Sequence, residues 1–143
     1  MLEIRYVNEQ DEPFWYTLDK HLCKNEFALK IRDKRGYVIC LDGNPIGVMR
    51  YNLFWDNTPF LTLIYIEETQ QGKGYGKQAM LFWEKEMLGY GYKIVITSTQ
   101  VDEQAQHFYR KLGYIERGGI FLDKTPFEQP QEMFMIKVLK ELI

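Results

Sequence analysis

Gln71-Gly72-Lys73-Gly74-Tyr75-Gly76 is the stretch on which the fold turns. The apolar run before it, Phe60-Leu61-Thr62-Leu63-Ile64-Tyr65-Ile66, predicts a strand, and a helical pattern from about Lys73 to Leu88 follows. Three glycines between the two let the backbone turn sharply without Cβ clashes. They also leave N–H groups at the start of the helix without intrahelical partners, where the helix dipole adds partial positive charge. Strand, glycine turn and helix together predict an anion site suited to phosphate groups.

Three phosphate loops can be tested against this spacing. A Walker loop needs G-x-x-x-x-G-K-[ST]; here Gln78 follows Gly76-Lys77, so that reading fails. The dinucleotide fingerprint G-x-G-x-x-G/A is met by Gly74-Tyr75-Gly76-Lys77-Gln78-Ala79. Its fold wants an acidic residue near the end of the next strand, and Lys93-Ile94-Val95-Ile96-Thr97-Ser98 ends without one. Nor does the chain look like repeated βαβ units, so a dinucleotide oxidoreductase is a weak reading. The third pattern, Q/R-x-x-G-x-G/A, is met by Gln71, Gly74 and Gly76, and is the pyrophosphate loop of acetyl-CoA-dependent N-acetyltransferases. A second motif follows in the expected order: Ala105-Gln106-His107-Phe108-Tyr109-Arg110-Lys111-Leu112-Gly113-Tyr114 matches A-x-x-F/L-Y-x-K/R-x-G-F/Y. The chain thus resembles the GNAT superfamily of N-acetyltransferases over nearly its whole length, most strongly across residues 58–114. Outside that span it resembles them in the order of its elements.

Working outward, Leu2–Val7 predicts a first strand, and Asp11-Glu12-Pro13 places carboxylates and a proline at a helix start. Helices are expected over Phe14–Leu22 and Glu26–Arg32, then strands over Tyr37–Leu41 and Ile46–Leu53 joined through the turn Asp42-Gly43-Asn44-Pro45. Asn57-Thr58-Pro59 is expected to break the chain. In the central helix Tyr75, Ala79, Phe82, Trp83 and Met87 share one face, and Gly89 and Gly91 stop it. Ala105, Phe108, Tyr109 and Leu112 form the stripe of the next helix; Tyr114–Arg117 and Met133–Leu139 close the chain as strands. This order, β-α-α-β-β-β-α-β-α-β-β, predicts an α/β (α+β) fold, which the resemblance makes a GNAT N-acyltransferase fold: one domain over residues 1–143 with a central mixed sheet flanked by helices on both faces.

Composition narrows the partners. The 143 residues carry 18 basic and 20 acidic side chains, a formal net charge of −2, with no basic block to suit a nucleic acid. No apolar run approaches the ~20 residues of a membrane span, and Met1-Leu2-Glu3-Ile4-Arg5 lacks a signal-peptide h-region. Cys23 and Cys40 have no metal spacing and read as free thiols in a reducing cytoplasm. No metal is expected.

The resemblance implies acetyl-CoA as co-substrate and an amine of a small molecule or peptide as acceptor; a homodimer stays open. It implies that the N–H of Ile66 polarises the acetyl carbonyl, as an oxyanion donor does. It implies that Gln71, Gly72, Lys73, Gly74, Tyr75, Gly76 and Lys77 hold the pyrophosphate through the loop and its amides, the Lys73 and Lys77 side chains being either contacts or solvated charge. It makes Tyr109 the acid that protonates the departing thiolate, against a reading in which Tyr109 only packs. Two positions depart from the pattern: Asp102 stands where many relatives have Asn, and Glu68 where they often have Pro. An ionised Asp does not donate as Asn does. With no obvious base, this leaves a non-catalytic acyl-CoA sensor as the alternative. Asp56, Glu67 or water would take the amine proton. Phe14-Trp15-Tyr16 and Tyr51-Asn52-Leu53-Phe54-Trp55-Asp56 form either an aromatic acceptor wall suited to a cation or ordinary packing. His107 and His21 are read as surface residues.

Overall fold

β1 (Leu2–Tyr6), α1 (Glu12–Leu18), α2 (Lys24–Asp33), β2 (Gly36–Leu41), β3 (Asn44–Phe54), β4 (Thr58–Ile66), α3 (Tyr75–Gly89), β5 (Ile94–Gln100), α4 (Ala105–Lys111), β6 (Ile115–Ile120) and β7 (Glu132–Val138) follow one another in the expected order in the computed structural model, which describes residues 1–139. Short 3₁₀ turns at Glu9–Asp11 and Glu68–Gln70 lie between them. The chain divides into two compact units. The first comprises Met1–Asn52 and Leu61–Lys85; the second comprises Leu53–Phe60 and the described residues from Glu86 on.

In the first unit the strand order is β1-β2-β3-β4. β2 is apolar and buried along nearly its whole length, as a strand covered on both faces must be. It pairs antiparallel with β1, from Leu2↔Leu41 to Tyr6↔Tyr37, and antiparallel with β3. The β2–β3 turn is tighter than expected: Asp42 and Gly43 alone make it, at φ 51° and 84°, and Asn44-Pro45 already belongs to the strand. Pro45 has no N–H to give, and the register shifts between Ile39 and Cys40, beside its partner Cys40. Val7, Trp15, Phe27, Val38, Cys40 and Val48 form the core beneath α1 and α2. α1 stops at Leu18 rather than Leu22 because Asp19 is extended (φ −110°, ψ 94°). Its buried carboxylate accepts from Trp15 Nε1 at 3.1 Å and from Arg50 Nε at 2.8 Å.

In the second unit the order is β5-β7-β6, antiparallel throughout, with β5 and β7 in register from Ile94↔Val138 to Gln100↔Glu132. α4 packs on β5. Asn57-Thr58-Pro59 does not break the chain, since Thr58-Pro59 opens β4; the turn is made one step earlier by Trp55 and Asp56, at φ 55° and 62°.

α3 buries Ala79, Met80, Trp83 and Met87. Phe82, expected on that face, is 42% exposed, because the buried stripe is centred one residue away and takes Met80 instead. Ala105 is likewise exposed, leaving Tyr109 as the buried residue of α4, with Leu112 buried just past its end.

Candidate active site

The glycine loop has a defined anchor. Ile66 ends β4 and is buried; the next amide, Glu67 N, donates to Ile46 O at 2.8 Å and so keeps the strand end fastened to β3. The Gln71 side chain turns back and donates from Nε2 to Ile66 O at 2.8 Å. Gly72 and Gly74 then take φ of 78° and 88°, a left-handed backbone that side chains disfavour. The first backbone bond of the following helix runs from Gln78 N to Gly74 O at 3.1 Å. The amides from Gly72 to Lys77 precede it and lie in the half-exposed to exposed stretch at the N-terminus of the 15-residue α3. That arrangement presents N–H donors and the positive end of a helix dipole to an anion. Lys73 and Lys77 are exposed, and Lys73 Nζ donates to Gln70 Oε1 at 3.3 Å.

Gly47 was not singled out from the sequence, yet it shapes the strand end. A Cβ there would lie 2.8 Å from both the Tyr65 carbonyl oxygen and Ile66 Cδ1. Its absence lets β3 approach the last residues of β4. A lone glycine inside a strand pattern was the available signal.

Tyr109 lies in the second unit and is 7% exposed. Burial pushes its phenol above the ordinary tyrosine value, and a hydrogen bond with the buried Thr97 of β5 offsets part of that rise. Its ring meets Phe108 at 5.3 Å and Tyr114 at 5.7 Å. Tyr109 thus packs against its neighbours, and its hydroxyl is buried with a polar partner.

Ile66 and Gln71 to Lys77 come together in the first unit; Tyr109 is built into the second. Asp102, Asp56, His21 and His107 are exposed, and Glu67 is half-buried. Packing accounts for Trp15, which is fully buried in the core, and for Tyr51, which is buried and meets Tyr37 at 6.3 Å and Trp83 at 5.7 Å. Among the described residues no group of three or more His, Cys, Asp or Glu side chains is placed to hold a metal ion, and no helix is long and apolar enough to cross a membrane. Cys23 is exposed and Cys40 buried, both as free thiols.

Comparison with known proteins gives these features a family. An uncharacterised N-acetyltransferase of Bacillus subtilis (strain 168) is 29% identical over 103 residues, which are 64% of this chain and 64% of that protein. The match thus spans less than two thirds of that relative's length. Among solved structures, Ard1 from Thermoplasma volcanium superposes with a TM-score of 0.84 at 15% identity, covering 98% of this chain and 99% of that one. Arabidopsis thaliana Naa50, in complex with the bisubstrate analogue CoA-Ac-MVNAL, gives 0.77 at 12% identity over 95% and 97% of the two chains. The mixed sheet of seven strands with four helices is the fold these proteins share. The profile of the acetyltransferase (GNAT) family matches residues 2–114, from β1 through α4 and across both motifs, and the chain belongs to that family.

Proposed function

We propose that residues 1–143 act as a single N-acetyltransferase domain in the cytoplasm, taking acetyl-CoA as co-substrate. The acetyl group passes directly to a primary amine of a small molecule or peptide, without a metal. One observation carries this reading: the loop from Gln71 to Lys77, tied to Ile66 O and opening α3 with left-handed glycines, offers donors to a pyrophosphate. The structural neighbour with a bound coenzyme A analogue supports the choice of ligand.

In the proposed reaction the amine lone pair attacks the thioester carbonyl carbon, and the C=O π pair moves to oxygen, where the N–H of Ile66 stabilises it. Collapse re-forms the carbonyl and breaks the C–S bond. The departing thiolate takes the Tyr109 proton, and the nitrogen loses its own proton to Asp56, Glu67 or water. A phenol near ~10 and a thiol near ~8.5 are mismatched in water. Burial destabilises both anions, so a dry site keeps the phenol protonated until the thiolate forms.

Calorimetric titration with acetyl-CoA tests the loop. Gly74→Glu puts bulk and negative charge at the phosphates and should abolish binding; Gly74→Ala shares the backbone strain without the charge and is the control. Unchanged affinity in a folded Gly74→Glu protein would overturn the assignment. A second reading, an acyl-CoA sensor, is favoured by the exposed Asp102 and by a Tyr109 hydroxyl already engaged with Thr97. Binding with no acceptor-dependent thiol release across amines, polyamines, aminoglycosides and peptide N-termini decides for the sensor.

A further inference from the structure

The β3–β4 turn in the second unit is built against its own interest. Its two residues both have positive φ, 55° at Trp55 and 62° at Asp56, and Asn57 N closes it onto Phe54 O at 3.2 Å. Such turns suit Asn-Gly; a tryptophan in the left-handed region is strained. The indole it holds is 78% exposed. Phe54 lies 4.6 Å from it between ring centroids, and Phe134 is 6.3 Å from Phe54. Three other rings of this chain each carry a lysine ammonium: Lys24 over Tyr16 at 4.4 Å, Lys34 over Tyr6 at 5.6 Å and Lys137 over Tyr114 at 5.9 Å. Among the described residues no Lys or Arg stands over Phe54, Trp55 or Phe134, and the exposed carboxylate of Asp56 has no ion-pair partner.

We infer that this turn is a binding site for a small organic cation bearing an alkylammonium group, with Trp55 as the aromatic face and Asp56 as the counter-charge. The quadrupole of an indole attracts a cation more strongly than that of any other side chain, and a neighbouring carboxylate adds charge attraction. Its test reads ligand binding alone and is independent of turnover.

The probe is choline, set against its neutral isostere 3,3-dimethylbutan-1-ol, with the Trp55 indole N–H followed by NMR. Trp15 and Trp83 are fully buried and serve as internal references. Choline should shift the Trp55 signal saturably while the references stay fixed, and the alcohol should bind at least about fivefold more weakly. Trp55→Asn, a residue that tolerates positive φ, should fold and lose choline binding; Asp56→Asn should weaken it by about two- to fivefold. Equal affinity for the alcohol, a Trp55 signal that choline leaves in place, or undiminished choline binding in Trp55→Asn would each overturn the inference.

Discussion

Replacing Gly47 by alanine tests how the strand end is held. The added Cβ would meet three atoms: Ile66 Cδ1 at 2.8 Å, Ile39 Cδ1 at 3.3 Å and the Tyr65 carbonyl oxygen at 2.8 Å. The two methyls sit at the far ends of side chains and can rotate. The carbonyl is backbone and cannot, so one strand must yield by roughly 0.6 Å to restore ordinary contact at 3.4 Å. Overpacking of this kind costs about 1–3 kcal/mol. An unfolding entropy of about 2.1 cal/mol/K per residue over 143 residues turns that into a melting point lower by roughly 3–10 °C. The same displacement moves Tyr65 and Ile66, so kcat/KM for acetyl-CoA should fall by about 10- to 100-fold, because catalytic geometry tolerates little misplacement. Differential scanning calorimetry and steady-state thiol release measure the two effects. Gly89→Ala is the control: its Cβ meets nothing within 4 Å, so it should change stability by no more than about 1 kcal/mol. A Gly47→Ala protein that melts within a degree of the parent, with normal kinetics, would refute the close-approach reasoning.

Tyr109→Phe keeps the ring and its packing but removes the hydroxyl; kcat should drop by about 10²–10⁴-fold while calorimetric acetyl-CoA affinity holds. Because burial raises the phenol, the alkaline limb of the parent's rate profile should lie to the alkaline side of an ordinary tyrosine and disappear in the variant; full activity in a folded Tyr109→Phe would end the acid assignment. Asp11 is pushed up by burial, but the Arg5 guanidinium at 2.8 Å through both oxygens and the Asn8 amide at 2.8 Å hold its carboxyl below the usual range. Its contribution to stability is therefore complete above the unfolded value of about 3.9 and is lost as pH falls through the folded one. Urea melts between pH 5 and pH 2 should show a shallower acid loss in Asp11→Asn, and identical pH slopes would refute the pairing.

The elements that could be read from the sequence are those whose signals are local. The glycine loop, the flanking strand and α3 rest on contiguous runs, and each lies within two residues of its expected bounds. What escaped depended on distant partners. The end of α1 was hidden because Asp19 is claimed by Arg50, 31 residues away, and no local pattern encodes that pairing. Phe82 and Met80 are both apolar and two positions apart, and periodicity alone does not choose which one a neighbouring layer covers. Turn chemistry misled twice in the same way: Pro45 and Pro59 both sit inside strands, while the residues with positive φ lie just before them. In the candidate site the loop residues were legible as a motif. Gly47 was not, since its role is to be small opposite a carbonyl contributed from another strand.

The bond from Gln71 to Ile66 O gives a chemical reason for the latitude of the loop's first position. A carbonyl oxygen asks its partner only for an N–H, at the end of a chain long enough to fold back. Glutamine and arginine both satisfy that request. Glutamate has the length of glutamine but, when ionised, offers only lone pairs, so it would repel the oxygen it is meant to hold. What this bond asks of position 71 is a donor on a side chain long enough to fold back, and not a charge.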